Sequence, residues 1–426
     1  MLEQIHPVKL PNGLMLFIFP LPHFQTVCIN IRTDSGARRE ADHQQGLAHL
    51  VEHLLFQGTP QYPTNYALTS QVEALGGELW GATHTEYASF WLYAPQEYLL
   101  QSAPLLLQML RTPLLDPNYV ETEKGVILDE ISENQTDLWH IAQLQLDQTL
   151  WRGHPLGRSV LGQAATLQNL TQADVQAFHA QHFTPDRMVA VVTGNVEPRH
   201  IEDLFQTHWG DWQPASSAAP LSPPPLNPSR PALSRSRDKN IAHVMLGIPI
   251  PPLHHPDTGA YTVLRTLLAE GMSSRLYTEL RSRANLCYSI GTEIDELRHA
   301  CVWIVYFAAQ PDNVLRAVEI ICNTLAALRD GAMSVAEFDR SRGQAIGKLL
   351  IEADKVDAQA RYLGLSAYLT GRPISIAQSI DQLRQVTYAD VHRVAAAVLK
   401  PEHIHVSAVG RIAPQWQRIK QCLAHW

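Results

Sequence analysis

The sequence predicts an α+β fold built in duplicate, as two homologous α/β-sandwich domains joined by a linker. The first observation is a stretch dense in proline and serine, residues 213–239, which divides the 426 residues into halves of similar length. The second is a repeat, in which residues 167–198 align without a gap with residues 383–414. We therefore predict one domain at residues 1–212, a linker at 213–239 and a second domain at 240–426.

The two copies of the repeat predict the same three elements in the same order. Each begins as a helix with threonine at its N-terminus, continues through a turn marked by proline, and ends in a β-branched strand that stops at glycine. The residues that mark these elements are Thr171 and Thr387, Pro185 and Pro401, and Gly194 and Gly410. A weaker similarity between residues 74–93 and 283–306 predicts a strand, a turn and a second strand in each half.

Helical patterns separate these strands in both halves. They cover residues 104–111 and 118–150 in the first half, and residues 312–329 and 335–369 in the second. Because helices and strands alternate within each half, layered packing of helices on a sheet is predicted for both.

Composition argues against several classes of partner. The net charge is −8 and 17% of the residues are charged, which is unlike the basic surface of a nucleic-acid-binding protein and compatible with basic peptides. No apolar run approaches the roughly 20 residues of a membrane span. The five cysteines are odd in number and include no C-x-x-C pair, which indicates a reducing compartment. We expect a cytoplasmic protein without nucleic-acid or membrane partners, and a processed chain in an organelle matrix would have the same features.

The helix predicted within residues 46–60 places two histidines and a glutamate on its polar face. Apolar residues at helical spacing fill one side, and His49, Glu52 and His53 gather on the other. Imidazoles four residues apart point the same way, which is the spacing at which both can bind one Zn²⁺. Glu52 is placed beside them to hold and deprotonate a metal-bound water. A solvated polar face is the alternative that this motif alone leaves open.

A helix predicted to begin near Asp116 offers a third ligand. Glu123 and Glu130 lie two turns apart on one face of this helix and are flanked by apolar side chains. Carboxylates in such a setting are costly to bury unless they are paired or metal-bound, although an exposed helix face would also accept them. Two histidines and one glutamate leave a fourth position for water, as in catalytic zinc sites.

These residues resemble the pitrilysin and insulinase superfamily of zinc metallopeptidases, the inverzincins, whose signature is H-x-x-E-H. His49, Glu52 and His53 match that signature. The resemblance implies that His49, His53 and Glu130 are the metal ligands and that Glu52 is the general base. It also implies that Glu123 supports the ligands from outside the metal site.

The length of the chain is similar to that of the short subfamily, which contains mitochondrial processing peptidase and its bacterial relatives. Residues 153–162 also resemble the family segment that follows the glutamate helix. The resemblance implies a zinc-dependent endopeptidase with one Zn²⁺ per chain. Such an enzyme hydrolyses peptides or small unfolded proteins inside a closed chamber of two subunits, formed by a homodimer or by a heterodimer with a related subunit. The alternative is a non-catalytic core or partner subunit of the same fold, a type that typically lacks the metal ligands.

The second half resembles the same family in residues 271–291, a segment that carries an arginine and a tyrosine seven residues apart, here Arg281 and Tyr288. The resemblance implies that Arg281 holds the substrate backbone and that Tyr288 stabilises the oxyanion. Without the family resemblance, the sequence predicts that Arg281 lies on the surface and that Tyr288 belongs to a half-buried strand. The chain departs from the family pattern at residues 285–287, where a glycine is usual, and at Trp80, where an asparagine is usual.

Overall fold

The chain forms two compact units, each assembled from separate segments. The computed structural model describes residues 5–214, 221–225, 227, 231–234 and 240–426. The first unit consists of Met1–Ser132, Arg158–Leu221 and Glu352–Ile376, and the second of Glu133–Gly157, Ser222–Ile351 and Ala377–Trp426. The sequence prediction instead placed continuous domains on either side of the linker.

A mixed sheet forms the centre of the first unit. Its strands are β1 (His6–Lys9), β2 (Met15–Pro20), β3 (Thr26–Thr33), β4 (Glu78–Thr83), β5 (Ala88–Pro95) and β6 (Met188–Gly194). They lie in the order β1-β2-β6-β3-β5-β4. β4 is therefore an edge strand, paired antiparallel with β5 so that Trp80 lies opposite Trp91.

Helices cover both faces of this sheet. They are α1 (Leu47–Leu55), α2 (Asn65–Glu73), α3 (Leu99–Arg111), α4 (Pro117–Asn134), α6 (Ala164–Asn169), α7 (Gln172–His182), α8 (Pro198–Trp209) and α12 (Val356–Thr370). Apolar residues of α1, α3, α7 and α8 share one core with the sheet. On the other face, Leu363 and Ala367 of α12 pack against Phe17, Phe19 and Val191. Because the sheet is covered on both faces, most residues of β2, β3, β5 and β6 are buried.

The second unit repeats this design with a shorter sheet. Its strands are β7 (Ala232–Ser234), β8 (Ala242–Ile250), β9 (Cys287–Glu296), β10 (Cys301–Ala309) and β11 (His405–Val409), in the order β7-β11-β8-β10-β9. Its helices are α5 (Leu138–Leu150), α9 (Thr258–Ala269), the π-helix Tyr277–Arg283, α10 (Val314–Arg329), α11 (Val335–Ala353), α13 (Ile376–Gln385), α14 (Tyr388–Val398) and α15 (Trp416–Ala424). None of the helices in the described ranges has the length and hydropathy that a bilayer crossing requires.

The predicted duplication is confirmed by the matching element order. The strand order β7-β11-β8-β10-β9 corresponds position by position to β2-β6-β3-β5-β4. The repeat also has the predicted helix starts, because Thr171 accepts a hydrogen bond from the Asp174 backbone and Thr387 from the Asp390 backbone.

The two halves exchange one helix each, which the sequence prediction missed. The predicted helices 118–150 and 335–369 both break, the first before Asp137, which caps α5, and the second before Lys355, which precedes α12. α5 then packs on β8 and β11 of the second unit, whereas α12 packs on β3 and β6 of the first. Each sheet thereby has its second apolar face covered by a helix from the other half of the chain.

A described part of the predicted linker belongs to the sheet of the second unit. It contains the short strand β7, which pairs in parallel with β11. Residues 215–220, 226, 228–230 and 235–239 of the predicted linker lie outside the described residues.

Candidate metal centre

Helix α1 is amphipathic, and its apolar face fixes the direction of its polar face. Leu50, Val51 and Leu54 are fully buried in the core of the first unit. At 3.6 residues per turn, the residues at 49, 52 and 53 then point away from that core. The helix stops at Phe56 and is followed by Gly58, whose positive φ of 132° ends the helical path.

The start of α1 is held by a buried carboxylate. Glu40 accepts hydrogen bonds from the backbone N–H groups of Gly46 and Ala48, at 3.1 and 2.8 Å. Burial raises the pKa of Glu40 to about 8, against the lowering effect of these donors. Arg158 donates to the Glu40 carbonyl at 2.8 Å, and a Cβ on Gly46 would lie 2.9 Å from the Leu161 carbonyl oxygen. The segment 158–162 therefore packs closely against the beginning of the histidine helix.

Helix α4 brings a carboxylate to both imidazoles. His49 Nε2 lies 3.1 Å from Glu130 Oε2, and His53 Nε2 lies 3.8 Å from Glu130 Oε1. The two rings are 4.5 Å apart and inclined by 72°, so their nitrogens converge. One ligand atom from each of these three residues lies within 4.8 Å of the others. Two imidazoles and one carboxylate are a donor set that fits zinc and leaves a coordination position open.

Glu123 orients His53 from the side opposite Glu130. Its Oε2 lies 2.8 Å from His53 Nδ1, and its Oε1 accepts a hydrogen bond from Gln57 at 2.8 Å. Because an ionised carboxylate only accepts, the proton is assigned to Nδ1 and the lone pair to Nε2. A metal-binding histidine requires that tautomer, and a carboxylate partner commonly supplies it.

Glu52 stands beside the three candidate ligands and contacts the edge strand β4. Its Oε2 is 3.3 Å from His49 Nδ1 and accepts a hydrogen bond from Thr83 Oγ1 at 3.0 Å. A Cβ on Gly81 would lie 3.0 Å from Glu52 Oε1, so any other residue at this position would crowd the carboxylate. The side chain of Glu52 is buried between a helix and a strand.

The charges in this cluster stabilise one another. Burial alone would lower the pKa of His49, but the carboxylates of Glu52 and Glu130 raise it above its ordinary value. Burial alone would raise the pKa of Glu52, but His49, His53 and the Thr83 hydroxyl lower it below its ordinary value. The lowered pKa of Glu52 favours its ionised form.

Arg281 and Tyr288 come together in the second unit. The Arg281 guanidinium donates to the Cys287 carbonyl at 3.0 Å and to the Tyr288 carbonyl, and it lies 5.5 Å from the Tyr288 ring centroid. The Tyr288 residue is 78% exposed, at the start of the edge strand β9. Asn285, in the segment where the family pattern has glycine, has a φ of 51°, a left-handed conformation that asparagine tolerates better than most residues. Their role toward a substrate remains a prediction.

Sequence reasoning identified the helical residues of this centre and missed their supports. Gln57 follows His53 by four residues just after the end of α1, whereas Thr83 and Glu40 come from separate segments that no spacing rule links to the histidines. A weak signal for Thr83 does exist, because Gly81 and Thr83 lie two residues apart and so share one face of a predicted strand.

The fold and the centre together define the class of protein. Its first unit brings together two histidines and one glutamate that could hold a metal ion, and the carboxylate of Glu52 lies beside them. Residues 21–164 match the family model "Insulinase (Peptidase family M16)", and residues 169–345 match "Peptidase M16 inactive domain". The chain belongs to peptidase family M16.

Relatives of known name and structure extend over nearly the whole chain. A protein named as an uncharacterized zinc protease of Mycobacterium bovis is 29% identical over 92% of this chain and 90% of its own length. The probable mitochondrial-processing peptidase subunit beta of Schizosaccharomyces pombe is 27% identical over 96% of this chain and 92% of its own.

Solved structures share the fold at lower identity. A protease from Helicobacter pylori has a TM-score of 0.87 at 21% identity, with coverage of 96% of this chain and 100% of that one. A chain of complex III2 from Candida albicans has a TM-score of 0.84 at 16% identity, with coverage of 99% and 100%. The names of the relatives support a metallopeptidase at the level of the family.

Proposed function

We propose that this chain is a zinc-dependent endopeptidase that hydrolyses peptides or small unfolded proteins. The observation that carries the proposal is the convergence of His49, His53 and Glu130 on one point beside Glu52. The Nε2 atoms of both histidines and the Glu130 carboxylate would hold one zinc ion per chain. When bound, zinc supplies a Lewis acid that polarises a carbonyl and lowers the pKa of water to about 7.

The side chains around that position divide the remaining chemistry. Glu52 accepts the proton of the attacking water and returns it to the leaving amine. Glu123 keeps the proton of His53 on Nδ1, so that Nε2 stays available as a ligand. These roles need an ionised Glu52, which its lowered pKa supports.

The edge strand β4 is the proposed binding element for the peptide substrate. Among the strands that the structure describes, none pairs with its outer side, and Thr83 of β4 contacts Glu52 directly. An extended peptide that adds to this edge would be bound through its main chain, which suits unfolded substrates of varied sequence. Arg281 and Tyr288 are proposed to hold the substrate backbone and to stabilise the oxyanion.

We further propose that two subunits enclose the site in a chamber. The Schizosaccharomyces pombe relative is named as a subunit, which supports an assembly of this kind. A homodimer is the simpler proposal, because this chain carries both the histidine centre and the Arg281/Tyr288 pair. The cytoplasmic location, predicted from cysteine usage, stays a prediction.

The test is metal analysis together with cleavage of a peptide library. We expect about one zinc per chain, cleavage that a chelator abolishes, and recovery when zinc is added back. Mass-spectrometric mapping of the cleaved bonds would define the substrate class. A protein without zinc whose cleavage resists chelation would contradict the proposal.

A second candidate is a non-catalytic partner subunit. Residues 169–345 match a family model described as an inactive domain, which favours this reading for the second half. It predicts a protein that binds no zinc and cuts no peptide, so the same metal analysis separates the two candidates.

A further inference from the structure

The carboxylate of Glu52 is held by a strand as well as by its own helix. Thr83 Oγ1 donates to Glu52 Oε2 at 3.0 Å, and Gly81 on the same face of β4 leaves room for Oε1. Strand β4 is paired with β5 along its whole length, so Thr83 is attached to a rigid element.

We propose that Thr83 is a positioning residue for the general base Glu52. A glutamate side chain turns about three bonds, and on α1 itself the Glu52 carboxylate lies 3.3 Å from His49 Nδ1. The Thr83 hydroxyl adds a constraint from outside the helix, and a hydrogen bond to an ionised acceptor is stronger than one between neutral groups. Threonine is suited to this task, since its β-branched side chain has few rotamers. This inference rests on the proposed function, in which Glu52 transfers the proton.

The hydroxyl, rather than the shape of the side chain, is the feature to test. Thr83→Val keeps the branched shape and removes the donor, whereas Thr83→Ser keeps the donor and removes a methyl group. For Thr83→Val we expect kcat to fall about 10- to 100-fold with KM changed less than about twofold. Thr83→Ser should stay within about threefold of wild type. When Thr83→Val is added to Glu52→Gln, kcat should fall almost no further, because Thr83 acts on turnover only through Glu52.

Two readouts do not depend on turnover. Zinc content should be the same in wild type, Thr83→Val and Thr83→Ser, because Thr83 contacts none of the candidate ligands. Crystals of the metal-free proteins should show Glu52 in its original rotamer in Thr83→Ser and in a different or disordered rotamer in Thr83→Val.

The inference is overturned if Thr83→Val retains wild-type kcat, if Thr83→Ser loses as much activity as Thr83→Val, or if Thr83→Val loses zinc. These failures would leave zinc-dependent cleavage by the wild type intact. A wild type without such cleavage would instead defeat the proposed function, and the rotamer of Glu52 in Thr83→Val would then decide the positioning role by itself.

Discussion

At the scale of single residues, the two glutamates of α4 differ in what they contact. Glu130 lies within 4 Å of both imidazoles, and its side chain is 38% exposed. Glu123 is buried and is shared between His53 and Gln57. Two carboxylates two turns apart on one helix therefore differ in their contacts, one with both imidazoles and the other with His53 and Gln57.

We predict that Glu130→Gln weakens zinc binding more than Glu123→Gln does. The amide at position 130 removes a negatively charged ligand, whereas at position 123 it weakens one contact to His53, a change that typically costs about 10- to 100-fold in affinity. Competition with a chromophoric chelator measures both dissociation constants. Glu133→Gln, an exposed residue of α4, is the matched control and should bind zinc as wild type does. Equal and negligible effects at 123 and 130 would place the third ligand elsewhere.

Residue spacing was sufficient to predict the histidines and their glutamates, and insufficient for the rest of the centre. His49, Glu52 and His53 share one helix, whose geometry converts spacing into direction. Thr83 reaches Glu52 through the packing of β4 beside α1, and Glu40 reaches α1 through a folded loop. Such contacts depend on tertiary structure and have no fixed separation along the chain.

At the scale of elements, the second unit carries a charged cluster where the first carries the candidate metal centre. Helix α9 corresponds to α1, and each is followed by a glycine with positive φ, Gly271 and Gly58. Helix α11 corresponds to α4, with the same spacing of buried residues, so Lys348 takes the place of Glu130. Lys348 forms an ion pair with Glu270.

Two further contacts complete this charged cluster. Arg265 lies 3.6 Å from Glu270, and Thr266 donates to Glu270 at 2.9 Å. Burial alone would raise the pKa of Glu270, but Arg265 and Lys348 lower it. Fixed cations thus supply the positive charge that a metal would supply in the first unit, and the cluster contains no histidine.

We predict that Lys348→Met lowers the melting temperature and leaves zinc content unchanged. The pair is partly exposed, so its loss should cost up to about 1 kcal/mol, or about 2–4 °C for a unit of this size. Lys355→Met is a matched comparison in the first unit, because the partner of Lys355, Glu352, also contacts an arginine, as Glu270 does. Loss of zinc in Lys348→Met would contradict the assignment of a single metal centre.

The exchange of α5 and α12 between the two halves is the feature of the elements that the sequence does not predict. The duplicated pattern predicts both helices and both sheets. It does not predict which sheet each helix covers, because the two sheets present similar apolar faces. Tertiary packing decides the exchange, as Leu146 of α5 closely approaches Gly247 and Gly364 of α12 closely approaches Arg32.

At the scale of the whole molecule, the proposed dimer predicts that two defective chains can complement each other. Glu52→Gln and Tyr288→Phe should each be nearly inactive. If each chain gives its Arg281/Tyr288 pair to the site of its partner, a mixed dimer contains one site with both defects and one with neither. After subunit exchange, activity should return to about a quarter of wild type under random pairing. Exchange confirmed by mass without recovery of activity would contradict the shared site.

The central claim is that Glu52 transfers protons beside a zinc ion that it does not bind. It is tested most directly by measuring zinc content and peptide turnover in one preparation of Glu52→Gln, because the amide keeps the shape of the side chain and cannot accept a proton. We expect the same zinc content as wild type, about one per chain, and a fall in kcat of about 10²- to 10⁴-fold. Undiminished turnover, or loss of zinc together with turnover, would contradict the claim.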